Sequence, residues 1–108
     1  MKRIEVIVQK EIARKVIFAI RDVGANAVTF FESLGQGEGE RLEIAGRQAD
    51  FNSTTVIISI INDSQLDSVV SAIMDVAHTG QTKDGKIFIT NVEETYDIST
   101  KQKLNKLI

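Results

Sequence analysis

Along this chain the spacing of apolar residues switches between strand-like and helix-like, and each switch predicts an element. Ile4 to Val8 is a short apolar run interrupted only by Glu5 and rich in β-branched side chains, which predicts a strand covered on at least one face. From Glu11 onward Ile12, Val16, Ile20 and Val23, with Ala13 and Ile17 beside them, follow the three-or-four spacing of an amphipathic helix that stops near Gly24. Ala27 to Leu34 carries Val28, Thr29, Phe30 and Phe31 and ends at Gly35, the composition of a second strand. Thr54 to Ile61 is the most strongly β-forming segment and predicts a central strand. Asn62, Asp63 and Ser64 supply helix caps, and Leu66, Val69, Val70, Ile73, Met74 and Ala77 set out a second helical stripe that ends near His78. Lys86 to Val92 predicts a fourth strand, with a further short one at Tyr96 to Ser99. The basic tail, residues 101–108, is expected to form one turn or to fray.

The order β-α-β, long loop, β-α-β is the split pattern of an α+β, ferredoxin-like fold, βαββαβ, in which two helices cover one face of a four-stranded antiparallel sheet. Between Gly35 and Asn52 the apolar period fails, and four glycines are mixed with Glu38, Glu40, Arg41, Glu43, Arg47 and Asp50. Such a stretch buries too little apolar area to offset its ordering entropy, so a long loop, or a hairpin with a mobile tip, is expected at about 35–53. Val56, Ile57, Ile58, Ile60 and Ile61 are apolar on both alternating sets of positions, which would leave one sheet face exposed and hydrophobic in a monomer. Oligomerisation through that face is the physical expectation; cover by the tail and loops is the alternative.

The 108 residues suit a single domain, 1–108, large enough for one core without metal or disulfide support. The absence of cysteine excludes a disulfide framework, a thiol nucleophile and a cysteine zinc site, and one histidine leaves little for metal chemistry. Thirteen Lys and Arg against fifteen Asp and Glu give a net charge of −2, which offers no broad field for the phosphates of a nucleic acid. Met1-Lys2-Arg3-Ile4-Glu5-Val6 runs straight into strand sequence without a signal-peptide core. No segment approaches the roughly 20 apolar residues that span a bilayer, so a cytoplasmic protein without membrane insertion is expected.

Gly80-Gln81-Thr82-Lys83-Asp84-Gly85-Lys86 spells most of a Walker A loop but has Ile87 where Ser or Thr would bind magnesium, and it runs from helix to strand rather than strand to helix. What survives is local chemistry: glycines permit close backbone approach, consecutive N–H groups can form an anion nest, and Lys86 sets a cation at its rim. Entry into a strand through Asp-Gly-Lys is the plainer use of the same residues. Gly35-Gln36-Gly37-Glu38-Gly39 gives either a hinge or a close approach to ligand phosphates. Thr29 can offer its hydroxyl to a ligand or pack as a half-buried β-branched residue. His78 can cap or pack at a helix end as readily as accept a phosphoryl group. Glu93-Glu94 has no matched partner at a defined spacing, which leaves a glycosidase-like acid/base pair without support.

Thr79-Gly80, followed after three residues by Asp84-Gly85-Lys86-Ile87-Phe88, closely resembles the signature loop and following strand of the PII signal-transduction proteins. Met1-Lys2-Arg3-Ile4 is similar to the family's start, Thr29 stands where the family places a threonine near the adenine, and Gly35-Gln36-Gly37 is similar to the Gly-x-Gly at the base of its long T-loop. The likeness spans nearly the whole chain. It implies a homotrimer with three clefts between subunits, each binding an adenine nucleotide: ADP or ATP first, AMP or cyclic AMP as alternatives. It further implies T-loops that reach into a target transporter or metabolic enzyme, and a regulator rather than an enzyme. The resemblance places Gly35, Gln36, Gly37, Asp84, Gly85 and Lys86 at the phosphates, and Thr29 and the backbone near Ile61 at the base. Lys86 is the principal phosphate ligand in that picture, and Arg41 and Arg47 are the loop residues that face a partner.

The departures are specific. After Val92 the family places two arginines that clamp the phosphates; here Tyr96-Asp97-Ile98-Ser99 offers Asp97 and Ser99, which should penalise a triphosphate more than a diphosphate or monophosphate. Lys101 and Lys103 compensate in part. The loop glutamine that helps the family hold magnesium and 2-oxoglutarate corresponds to Gly39, and the lysine at the far end of the T-loop to Thr54. Their loss argues against 2-oxoglutarate binding and leaves magnesium open. The only tyrosine is Tyr96, outside the loop, so uridylylation in the family's manner is not expected. The leading expectation is a trimeric regulator that senses adenine-nucleotide state and acts through its long loop. The alternatives are a small ferredoxin-like phosphoryl-handling enzyme using His78 or Lys86, and a trimeric metal-responsive or structural module.

Overall fold

The computed structural model of the chain describes residues 1–25, 27–35, 43–44, 47–48 and 52–105. The elements are β1 (Lys2–Gln9), α1 (Lys10–Asp22), β2 (Thr29–Gly35), β3 (Glu43–Ile44), β4 (Arg47–Gln48), β5 (Asn52–Ile61), α2 (Leu66–Ala77), β6 (Lys86–Asn91), β7 (Thr95–Asp97) and β8 (Gln102–Leu104). Short 3-10 turns at Asp63–Gln65 and Thr82–Asp84 lead into α2 and β6. The main sheet has four strands in the order β2-β5-β1-β6, and every neighbouring pair is antiparallel. This is the ferredoxin-like arrangement that the βαββαβ order predicts, with the strongly β-forming segment inside the sheet.

The two-residue period of the strands and the longer period of the helices meet in one core. Ile4, Val6 and Val8 of β1 and Ile57 and Ile61 of β5 point to the helices and are buried, where they meet Ala13, Val16 and Ile20 of α1 and Val69 and Ile73 of α2. Each fully buried Ile or Val contributes roughly 1.5–3 kcal/mol relative to an exposed one. Thr55 and Ser59 are buried polar members of the same face, and the Ser59 hydroxyl donates to the Ala27 carbonyl at 2.8 Å. That bond holds Ala27 outside the ladder, so the second strand starts at Thr29 rather than Ala27.

Local chemistry fixes the helix ends. Gly24, with φ +99°, turns the chain out of α1, its N–H donating to Arg21 O at 3.0 Å and that of Ala25 to Ile20 O at 3.3 Å. Gln65 closes a capping box with Asn62, accepting its N–H on Oε1 at 2.9 Å, and donates from Nε2 to Gly24 O at 3.2 Å. One side chain therefore ties the end of α1 to the start of α2.

The tail departs from expectation. Instead of one turn or a frayed end, Gln102–Leu104 forms β8, antiparallel to β7. The reason is turn chemistry: Asp97 accepts the Ser99 N–H at 2.8 Å and its hydroxyl at 2.6 Å, and Lys101 sits at φ +58°. Three residues carry too little apolar periodicity to announce such a strand. Within the long loop, β3 and β4 pair as a two-stranded hairpin, while Gln36, Gly37, Gly39 and Arg41 lie outside the described residues.

On the face away from the helices, the register places Thr29, Phe31, Val56, Ile58, Ile60, Arg3, Glu5, Ile7, Lys86 and Phe88. Phe31 and Phe88 are about half exposed, at 50% and 47%, and Arg3 pairs with Glu5 at 3.0 Å between the apolar residues. No helix among the described residues is long and apolar enough to cross a membrane.

Candidate functional site

Thr79 to Lys86 joins α2 to β6, and one carboxylate organises it. Asp84 accepts the Thr79 N–H at 2.6 Å and the Gly80 N–H at 2.9 Å on Oδ2, and the Thr79 hydroxyl on Oδ1. The Thr79 hydroxyl is the largest of the influences that bring this carboxyl from an ordinary 3.8 down to about 2, so it is ionised throughout the neutral range. The anion nest expected here is thus partly filled by the chain's own anion. Its first amides face Asp84, and a ligand is left with the later part of the loop.

Gly85 follows at φ +110°, and a Cβ there would lie 2.0 Å from the Ile7 carbonyl oxygen. A close backbone approach at this glycine is made to β1. Lys86, exposed, opens β6 opposite Ile7. Beneath the loop lies a pocket of about 320 Å³ with apolar walls from Val6, Val8, Ile73 and Ile87 and a rim that includes His78, Gln81 and Lys86. His78 is exposed and caps α2, its N–H donating to Met74 O at 3.0 Å.

The remaining predicted residues sit elsewhere on the sheet. Gly35 ends β2, at the same end of the sheet as Lys86 but on the opposite edge strand. Three strand spacings, about 14 Å, separate the two edges. Among the described residues, a Cβ on Gly35 would meet only Thr54, its Oγ1 at 3.7 Å. Thr29 is exposed on β2 opposite Ile58, also on the far edge. Ile61 pairs with Lys2 at the other end of the sheet and is buried, with 1% of its surface exposed. Gln36, Gly37 and Arg41 are outside the described residues; Arg47 is the first residue of β4. One chain therefore brings Asp84, Gly85 and Lys86 together and holds Thr29, Gly35 and Ile61 apart from them. Asp97 and Ser99 hydrogen-bond to each other in the turn between β7 and β8, which lowers the Asp97 pKa, chiefly through the Ser99 hydroxyl.

Sequence reasoning missed Thr79 as a structural partner of Asp84, and Gln81 and His78 as pocket rim. Only the five-residue spacing of Thr79 and Asp84 hinted at the first.

The family model for nitrogen regulatory protein P-II matches residues 1–102. The chain belongs to the PII family. Its relatives agree along their length. A nitrogen regulatory protein P-II from Azospirillum brasilense is 36% identical over 107 residues, spanning 95% of this chain and 96% of the relative. The nitrogen fixation nifHD1 region GlnB-like protein 1 of Methanosarcina barkeri is 33% identical over 100 residues, spanning 93% and 95%. A similar nifHD region GlnB-like protein 1 from Methanothermococcus thermolithotrophicus is 33% identical over 100 residues. PII membership makes this chain a regulatory protein of signal transduction that works through protein partners.

Proposed function

We propose that this PII protein binds an adenine nucleotide in a cleft completed by a neighbouring copy, as a homotrimer, and that occupancy sets the state of its 35–52 loop toward a target protein, a transporter or a metabolic enzyme. The observation that carries the reading is the split of the candidate residues across the sheet. Lys86 stands on one edge, Gly35 and Thr29 stand on the other, and about 14 Å of sheet lies between them. A single copy cannot close that distance; two copies set edge to edge can. The half-exposed Phe31 and Phe88, with Ile58 between them on the same face, supply apolar surface for such packing.

The residues present suit the ligand. Lys86 offers a charge-assisted bond to a phosphate, and among the described residues a Cβ on Gly35 would meet only Thr54, at 3.7 Å or more. By the family resemblance, Asp97 and Ser99 stand where the family places two arginines at the phosphates, which penalises a triphosphate more than a diphosphate or monophosphate. For the signal to pass, the nucleotide must bind one loop state better than the other, since equal affinity for both would transmit nothing.

Isothermal titration with ATP, ADP, AMP and cyclic AMP, paired with light-scattering mass, tests the reading. Saturable binding by a trimer supports it. No heat from any of the four at millimolar concentration, or a monomeric mass with nucleotide present, ends it.

A further inference from the structure

We infer that Asp84 is a positioning residue of the nucleotide loop: its carboxylate latches residues 79–81 to the 3-10 turn at 82–84 and so presents Gly85 and Lys86 in a binding-ready shape without touching the ligand. The inference rests on the nucleotide reading above.

Three observations carry it. First, the carboxylate is already committed within the chain, to the Thr79 N–H and Gly80 N–H on one oxygen and the Thr79 hydroxyl on the other. A carboxylate so engaged offers little to a phosphate, which repels it, or to a ribose. Second, no apolar side chain anchors this segment. Thr79, Gly80, Gln81, Thr82, Lys83 and Gly85 are all exposed, and Asp84 is the one residue of 79–85 that is partly buried. The loop has little but polar contacts to hold its shape. Third, the far side of the latch is rigid. A Cβ on Gly85 would overlap the Ile7 carbonyl, so the chain immediately after Asp84 is pressed onto β1, and the latch pulls 79–81 toward a fixed point. The Asp84 N–H closes the turn by donating to Gln81 O at 3.0 Å. An unlatched loop would visit the binding-ready shape only part of the time, and apparent affinity falls by that fraction.

The test uses the full chain with Asp84→Asn, Thr79→Val, the double variant and Thr79→Ser. Hydrogen exchange at residues 79–81, ADP affinity by calorimetry, and circular dichroism to monitor folding are the readouts. Asp84→Asn is expected to speed exchange at 79–81 and weaken ADP binding by about tenfold or more, as it would if the ready fraction fell to a tenth. Thr79→Val should do the same to a smaller degree and Thr79→Ser should restore wild-type behaviour. The double variant should bind about as Asp84→Asn does, because the two residues act as one unit. Weaker binding with unchanged exchange, or fully additive losses, would mean that Asp84 meets the ligand itself and would overturn the inference. Tighter binding in Asp84→Asn would overturn it too, by making the carboxylate a competitor of the phosphate. If wild-type protein binds no nucleotide, the reading above fails on its own, and exchange at 79–81 alone then decides whether the latch exists. Should Asp84→Asn fail to fold, the comparison of Thr79→Val with Thr79→Ser decides.

Discussion

Replacing Gly85 by alanine places a methyl carbon 2.0 Å from the Ile7 carbonyl oxygen and 3.2 Å from Val8 Cα, at a φ of +110° that an L side chain rarely adopts. Gly80 makes the matched control: its φ is +91°, yet among the described residues nothing lies within 4 Å of an added Cβ. Both substitutions pay the backbone strain, about 1–2 kcal/mol. Only Gly85→Ala must also move backbone against backbone, since both neighbours belong to β1 rather than to a flexible side chain. Relieving the overlap lifts the start of β6 off β1 at the Ile7 and Lys86 pair, at a further cost of about 1–3 kcal/mol for one or two ladder hydrogen bonds left unmade. The expected losses are therefore about 2–5 kcal/mol for Gly85→Ala and about 1–2 kcal/mol for Gly80→Ala, against a typical total of about 5–15 kcal/mol for a domain. Urea titration followed by circular dichroism, at one fixed protein concentration because assembly adds to apparent stability, measures both. Equal losses within about 0.5 kcal/mol would refute the reasoning, because the collision would then contribute nothing.

Lys86→Ala is expected to weaken ADP binding by one to two decades, the loss of a charge-assisted phosphate bond of about 1.5–3 kcal/mol, checked by calorimetry. Ile57→Ala, at a fully buried position on the internal strand β5, should cost about 2–5 kcal/mol in urea unfolding while leaving the circular dichroism spectrum intact. Ile58→Lys on the open sheet face should lower the light-scattering mass to that of a monomer, whereas Phe18→Lys, half exposed on α1, should leave it unchanged. Asp84 titrates well below an ordinary carboxyl, at about 2 rather than 3.8, so its folded state is favoured above the unfolded value and that advantage is lost as pH falls from about 3.8 toward 2. The amide signals of Thr79 and Gly80 should accordingly hold their latched positions at pH 4 and shift only below about pH 3; a midpoint near 3.8 would contradict the hydrogen-bond assignment.

Most of the fold was legible because the core is periodic. The alternation of Ile4, Val6 and Val8, the helical stripe of Ala13, Val16 and Ile20, and Gly24 at the exit of α1 state element type and boundary in residue chemistry alone. The signature from Thr79 to Phe88 likewise marked the loop and the strand that follows it. What was illegible lacks a period: β8 forms through the Asp97 turn rather than through apolar spacing, and β2 begins at Thr29 because Ser59, thirty positions on, takes the Ala27 carbonyl.

The sequence alone determined the order of β1, α1, β2, β5, α2 and β6 and most of the core, because side-chain spacing and turn chemistry are local, while the resemblance of its motifs pointed to the family. It could not say what each glycine and carboxylate in the signature is for. Gly85 answers to the Ile7 carbonyl and Asp84 to Thr79 and Gly80, while Lys86 and Gly35 fall on opposite edges of the sheet. Those assignments depend on which strands pair and in what register, and register is fixed by packing a whole sheet against two helices, beyond the reach of any local run of residues.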